Sequence, residues 1–110
     1  MNNLKLALRY FDIFQKKELH NLEKMFAKDI ELRDWNISAK GIKKVLKINQ
    51  NIFDSCKILK VKTVKTFISD NYVIAELKIK MDNNNFLVLD ILKFDKDKKI
   101  KKITAYLGSK

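Results

Sequence analysis

Two aspartates stand where strand phase calls for an apolar side chain. Across Asp29 to Trp35, Ile30, Leu32 and Asp34 alternate with Glu31, Arg33 and Trp35. That period of two marks a strand and turns Asp34 inward with the apolar set. Across Phe86 to Phe94, Asp90 shares one face with Phe86, Val88, Leu92 and Phe94, while Leu87, Leu89 and Ile91 occupy the other. A buried carboxylate costs several kcal/mol unless it is paired, hydrogen-bonded or protonated. Two such acids of matching phase on different strands point to a shared functional cavity. The alternative is that each acid ends its strand at a solvated rim or pairs with a lysine.

Helical periodicity locates Tyr10, the candidate partner of these acids, whose hydroxyl can reach the cavity floor or point to solvent. Asn3 to Lys17 spaces Leu4, Ala7, Leu8, Phe11 and Phe14 by three and four, with Asn2 or Asn3 as N-cap, and Tyr10 flanks that stripe. A short second helix carries Leu19, Leu22, Met25 and Phe26. After a loop at Asn36 to Lys40, Gly41 precedes a third helix whose stripe is Ile42, Val45, Leu46, Asn49, Ile52 and Phe53. Phe14, Phe53, Val88 and Leu92 are the candidate apolar substrate contacts. Trp35 joins them at the cavity mouth if the strand twists as it ends.

From Ile58 onward the pattern is strand after strand: Ile58 to Ile68, Tyr72 to Met81, Phe86 to Phe94 and Ile100 to Leu107. Short turn sequences divide them, which predicts antiparallel hairpins. The apolar phase slips between Val61 and Val64, the mark of a bulge in a curved sheet. The order of elements gives an α+β architecture with helices on one face of a bent sheet.

The 110 residues suffice for one core, so the chain is read as a single domain, 1–110. Its net charge of +11 invites a nucleic-acid reading, but only Arg9 and Arg33 are arginines. The lysines run along the whole chain beside Asn and Ile, as a coding bias would place them, and nucleic acid is not the expected partner. No run approaches the roughly 18 apolar residues of a membrane helix. Met1 to Lys17 is too charged for a signal peptide, so a cytoplasmic location is expected. Cys56 is the lone cysteine and His20 the lone histidine, which excludes a disulfide within the chain and a cysteine/histidine zinc set. Cys56 is read as a buried filler and His20 as exposed.

The stretch from Arg9-Tyr10-Phe11 through Phe26-Ala27-Lys28-Asp29 to Arg33-Asp34, and then Val88 to Asp95 and on to Ala105-Tyr106, resembles the ketosteroid isomerases of the nuclear-transport-factor-2-like (NTF2-like) and SnoaL-like group. That resemblance implies a cone fold, with three helices of the N-terminal half on a strongly curved antiparallel sheet. It implies Tyr10 as an oxyanion donor, Asp34 as the general base, and Asp90 as an acid kept protonated by an apolar site. Such an isomerase needs no metal or cofactor and acts on a small carbonyl ligand in the pocket. The resemblance also implies a homodimer through the open sheet face, which Leu87, Leu89 and Ile91 would suit, although these residues could equally pack under a helix with the pocket on the other side. Trp35 stands where the isomerases usually have proline, so the expected substrate is not a steroid. A noncatalytic ligand-binding or dimerisation module is the competing expectation.

Overall fold

The structure is a computed structural model that describes residues 1–110. Helix α1 (Asn3–Gln15) starts at Asn2, whose side chain accepts a hydrogen bond from the Lys5 backbone N–H at 2.9 Å. Its buried residues are Ala7, Tyr10, Phe11 and Ile13, while Leu8 is 43% exposed. The buried arc therefore centres on Tyr10, and the expected stripe through Leu8 was turned too far round the helix. Helix α2 (Leu19–Met25) follows a corner at Lys17, whose φ is 58°. The Lys17 ammonium donates to the backbone carbonyls of Phe53, at 2.9 Å, and of Cys56. It satisfies C-terminal carbonyls of helix α3 (Ile42–Ser55) that have no partner within the helix.

Gly41 enters α3 at φ 95°, a conformation that side chains resist, and its N–H donates to the Ile30 carbonyl at 2.8 Å. The buried face of α3 is Val45, Asn49 and Phe53, spaced by four. Cys56 is buried just beyond and His20 is exposed, both as expected.

Six strands form one sheet: β1 (Phe26–Arg33), β2 (Ser38–Lys40), β3 (Leu59–Ser69), β4 (Tyr72–Met81), β5 (Asn84–Phe94) and β6 (Ile100–Ser109). Their order is β2-β1-β6-β5-β4-β3, so β2 and β3 are the edges. Hairpins join β3 to β4 and β4 to β5 through two-residue turns in which Asp70 and Asp82 take positive φ. The Asp82 carboxylate also accepts from the Lys57 and Ile58 N–H groups, tying the start of β3 to that turn. The expected bulge falls between Thr63 and Lys65, at Val64.

Two features differ from expectation. Ser38–Lys40 is a short strand paired antiparallel with β1, where the residues read as loop. The sheet is also mixed, because β1 and β6 run parallel. These strands meet from opposite ends of the sequence, so no turn between them dictates direction, and the helices and hairpins between them supply the crossover. Helices α1 and α3 pack on the same side of the sheet, α1 over β3 and β4 and α3 over β1 and β2, enclosing the core around Phe94, Leu22, Ile30 and Leu77.

Candidate functional site

Between the helices and the sheet lies a cavity of about 240 Å³ with mostly apolar walls. Four polar side chains of particular interest face it from four parts of the chain: Tyr10 on α1, Asp34 just past β1, Asn49 on α3 and Asp90 on β5. A wider cleft of about 890 Å³ at another end of the sheet is open and flanked by Lys16, Lys60, Lys62, Lys78, Lys80 and Lys110. That cleft is lined by lysines, whereas the smaller cavity brings two carboxyl groups and a phenol together.

Asp90 occupies the middle of β5, with Ala75 on one neighbouring strand and Ala105 on the other. Small flanking residues leave room above the carboxyl, and Val88 beside it on the same face also lines the cavity. The residue is 8% exposed. Burial, helped by the negative charge of Asp34, pushes its carboxyl up to about 7. Near neutral pH a large share of the molecules therefore carry a proton on Asp90.

Tyr10 is buried among aromatic rings, 5.4 Å from Phe11 and 6.1 Å from both Phe14 and Phe26 between centroids. Burial foremost, then the charge of Asp90, drives its phenol far above the usual tyrosine range. It stays protonated and can only donate its proton in a hydrogen bond or accept one. Tyr10 thus senses Asp90, and Asp90 senses Asp34, which places the three groups within electrostatic reach of one another.

Asp34 differs from expectation in depth. β1 ends at Arg33, and Asp34 is half-buried at the rim of the cavity. Its Oδ1 accepts from the N–H groups of Asn36, at 2.7 Å, and Ile37, at 2.6 Å. Its own N–H donates to the Ile37 carbonyl at 2.8 Å. The carboxylate is therefore the organiser of a tight turn into β2. The same turn brings Trp35, Asn36 and Ile37 to the cavity, so the chain reverses at Trp35 and carries the indole to the mouth. Both bonds fall on Oδ1, which leaves Oδ2 for other work.

Of the expected apolar contacts, Phe14 and Val88 line the cavity, whereas Phe53 and Leu92 do not. Phe53 packs edge-on against Phe14 at 5.3 Å, behind the wall. Leu92 is fully buried opposite Val73 and Ile103, farther along β5 than the cavity reaches. Strand and helix phase give the face and not the depth along it. Asn49 is the residue that sequence reasoning passed over. It is 3% exposed, and its Oδ1, sealed from solvent, has no hydrogen-bond partner. Leaving such an atom unpaired costs about 1–3 kcal/mol. The signal was present, since an asparagine within an apolar stripe breaks the pattern as Asp90 does. No group of three His, Cys, Asp or Glu side chains gathers to hold a metal.

No family model matches the sequence, and no curated protein matches it. Solved structures do match. A SnoaL-like protein of unknown function from Burkholderia thailandensis superposes with a TM-score of 0.87 at 14% identity, over 97% of this chain and 94% of that one. An NTF2-like protein of unknown function from Cytophaga hutchinsonii gives 0.84 at 14% identity, over 97% and 90%. A candidate ketosteroid isomerase from Kribbella flavida gives 0.83 at 12% identity, over 98% and 78%. The fold is therefore the NTF2-like, SnoaL-like α+β fold. Its relatives in shape include proteins of different or unknown function, so the chemistry must be argued from the cavity.

Proposed function

We propose that this protein is a cofactor-independent acid/base catalyst of the ketosteroid-isomerase kind, acting on a small carbonyl compound. The ligand carbonyl sits against Tyr10 and protonated Asp90, which donate hydrogen bonds to its oxygen. Asp34, through Oδ2, removes a proton from the carbon beside the carbonyl. The electron pair of that C–H bond moves to form the enolate, whose negative oxygen the two donors stabilise. Return of the proton to a different carbon gives an isomer. The observation that carries this reading is the separation of the two acids: one buried and holding its proton to about neutrality, the other at the rim with an oxygen unengaged. A cavity of about 240 Å³ with Trp35 at its mouth favours a ligand smaller than a steroid.

The test is exchange of α-hydrogen for deuterium in a panel of small cyclic and acyclic ketones, followed by proton NMR. Exchange above the buffer rate that disappears in Asp34→Asn supports the proposal. Exchange that is the same in wild type and Asp34→Asn removes it.

A second reading is favoured by the turn at Asp34, whose Oδ1 is committed to two loop amides. In this reading the acid is architectural and the cavity binds a ligand without changing it. Ligand binding with no exchange would support it. For assembly, the outward face of the sheet carries Phe67 and Tyr106, each 56% exposed, near half-buried Leu87, Leu89 and Ile91. Such a patch suits a second copy of the chain. Sedimentation equilibrium measures this directly, and a monomer at high micromolar concentration removes it.

A further inference from the structure

Asn49 is the polar group that the proposed chemistry leaves without a task. It lies one helical turn from Val45 and one turn from Phe53 on the inward face of α3, and it lines the same cavity as Tyr10 and Asp90. Its neighbours show what packing alone selects on that face. A structural role for the amide, such as tying α3 to a strand or loop, requires a protein partner for Oδ1, and there is none. Buried polar groups in folded proteins are generally satisfied, and the residue that carries this one lines the cavity.

We infer that Asn49 is a specificity residue that hydrogen-bonds a hydroxyl group on the ligand, which makes the ligand a small hydroxylated carbonyl compound. The inference rests on the reading of Tyr10 and Asp90 as the carbonyl donors and adds a second polar point to it. The chemistry of the amide selects a hydroxyl. Rotation about the terminal χ angle of asparagine is broad, so either Oδ1 or Nδ2 can be turned to the cavity. A hydroxyl both donates and accepts and satisfies either atom, whereas a second carbonyl or an ether satisfies only Nδ2. An anionic group is disfavoured by the apolar walls and by the neighbouring carboxyl groups.

The experiment uses cyclohexanone and its 2-, 3- and 4-hydroxy derivatives as probes, titrated by NMR into the full chain. In wild type at least one hydroxy derivative binds about tenfold more tightly than cyclohexanone. Asn49→Leu brings that ratio to within about twofold of unity, keeps the affinity for cyclohexanone, and melts at the same or a higher temperature because an unpaired polar group is gone. Asn49→Val is carried alongside in case leucine overfills the site. The inference is overturned if no hydroxy derivative is preferred by wild type, if the preference survives both substitutions, or if both variants melt well below wild type. Tyr10→Phe separates this from the carbonyl reading. Unchanged cyclohexanone binding in Tyr10→Phe sinks the carbonyl reading, while the hydroxyl preference still stands or falls with Asn49.

Discussion

The surroundings of Asp34 and Asp90 are opposite solutions to placing a carboxylate near an apolar cavity. At the end of β1 the strand stops one residue early, and the backbone folds over Asp34 so that two N–H groups reach Oδ1. In the middle of β5 the strand runs straight through Asp90, whose backbone lies inside the ladder between Ala75 and Ala105, and burial raises the proton affinity instead. The difference teaches that the same residue type on the same strand phase becomes an anchored acceptor where the ladder ends and a proton holder where it continues. Amides of an interior strand are taken up by the ladder and unavailable to side chains; turn amides are not.

The largest expected effect is on catalysis at the rim. With a ketone that exchanges, Asp34→Asn lowers the exchange rate by roughly 10²–10⁴-fold, the usual contribution of a positioned base. Because the amide oxygen of asparagine still accepts from Asn36 and Ile37, the melting temperature stays near wild type. A rate loss with no stability loss sharpens the contrast; a stability loss of similar size breaks it.

Next in size is the pH dependence at Asp90. Its carboxyl moves from an ordinary 3.8 to about 7 in the folded chain. Between these values the unfolded chain gives up a proton that the folded chain keeps. The associated stability is therefore present below about pH 4 and lost as the pH rises through about 7. The loss is on the order of a few kcal/mol, at about 1.4 kcal/mol per unit. Denaturant titrations of wild type and Asp90→Asn should diverge between pH 4 and 8, with the variant the less pH-sensitive. Parallel curves would mean that Asp90 is solvated like Asp34.

A smaller effect separates the turn-forming task of Asp34 from its proposed catalytic one. Asp34→Ala removes the acceptor as well as the proposed base and costs about 1 kcal/mol relative to Asp34→Asn, the scale of a lost cap or turn bond. Smallest of all, Trp35→Ala, at a side chain 43% exposed, changes stability by no more than about 0.5 kcal/mol while it opens the mouth of the cavity. Its readout is a gain in exchange for bulkier ketones and no change for the smallest.

Much of this contrast was legible in the residues, but not all of it. Phase alone put Asp90 among apolar neighbours, and the turn segments Ser69 to Asn71 and Asp82 to Asn85 announced the hairpins that hold it there. Phase also chose the correct face for Asp34 and overstated its depth, since alternation does not report where a ladder ends. Leu8 and Tyr10, two residues apart, flank the apolar stripe of α1 from opposite sides, and only the sheet beneath α1 decides which is covered. The parallel union of β1 with β6 escaped because it joins distant segments with no local turn to announce it. Phe53 and Leu92 share faces with true cavity residues yet sit beyond its end. Asn49 was visible as a break in the stripe of α3; its meaning required the cavity.

The position of β3 at the edge of the sheet has a consequence for how the protein survives at high concentration. An edge presents backbone groups that another chain's strand can join, the first step toward aggregation. Along the first half of β3 the outward side chains are Lys60, Lys62 and Lys65, and the Val61 N–H is already taken by the Gln15 side chain at 3.0 Å. Lys60 and Lys62 face Lys80 and Lys78 directly across the ladder, a like-charge arrangement that weakens the hairpin slightly. What that arrangement yields is a border that repels its own kind, so the excess of lysine over acid acts here as a colloidal guard for the half of the edge nearest the end of α1.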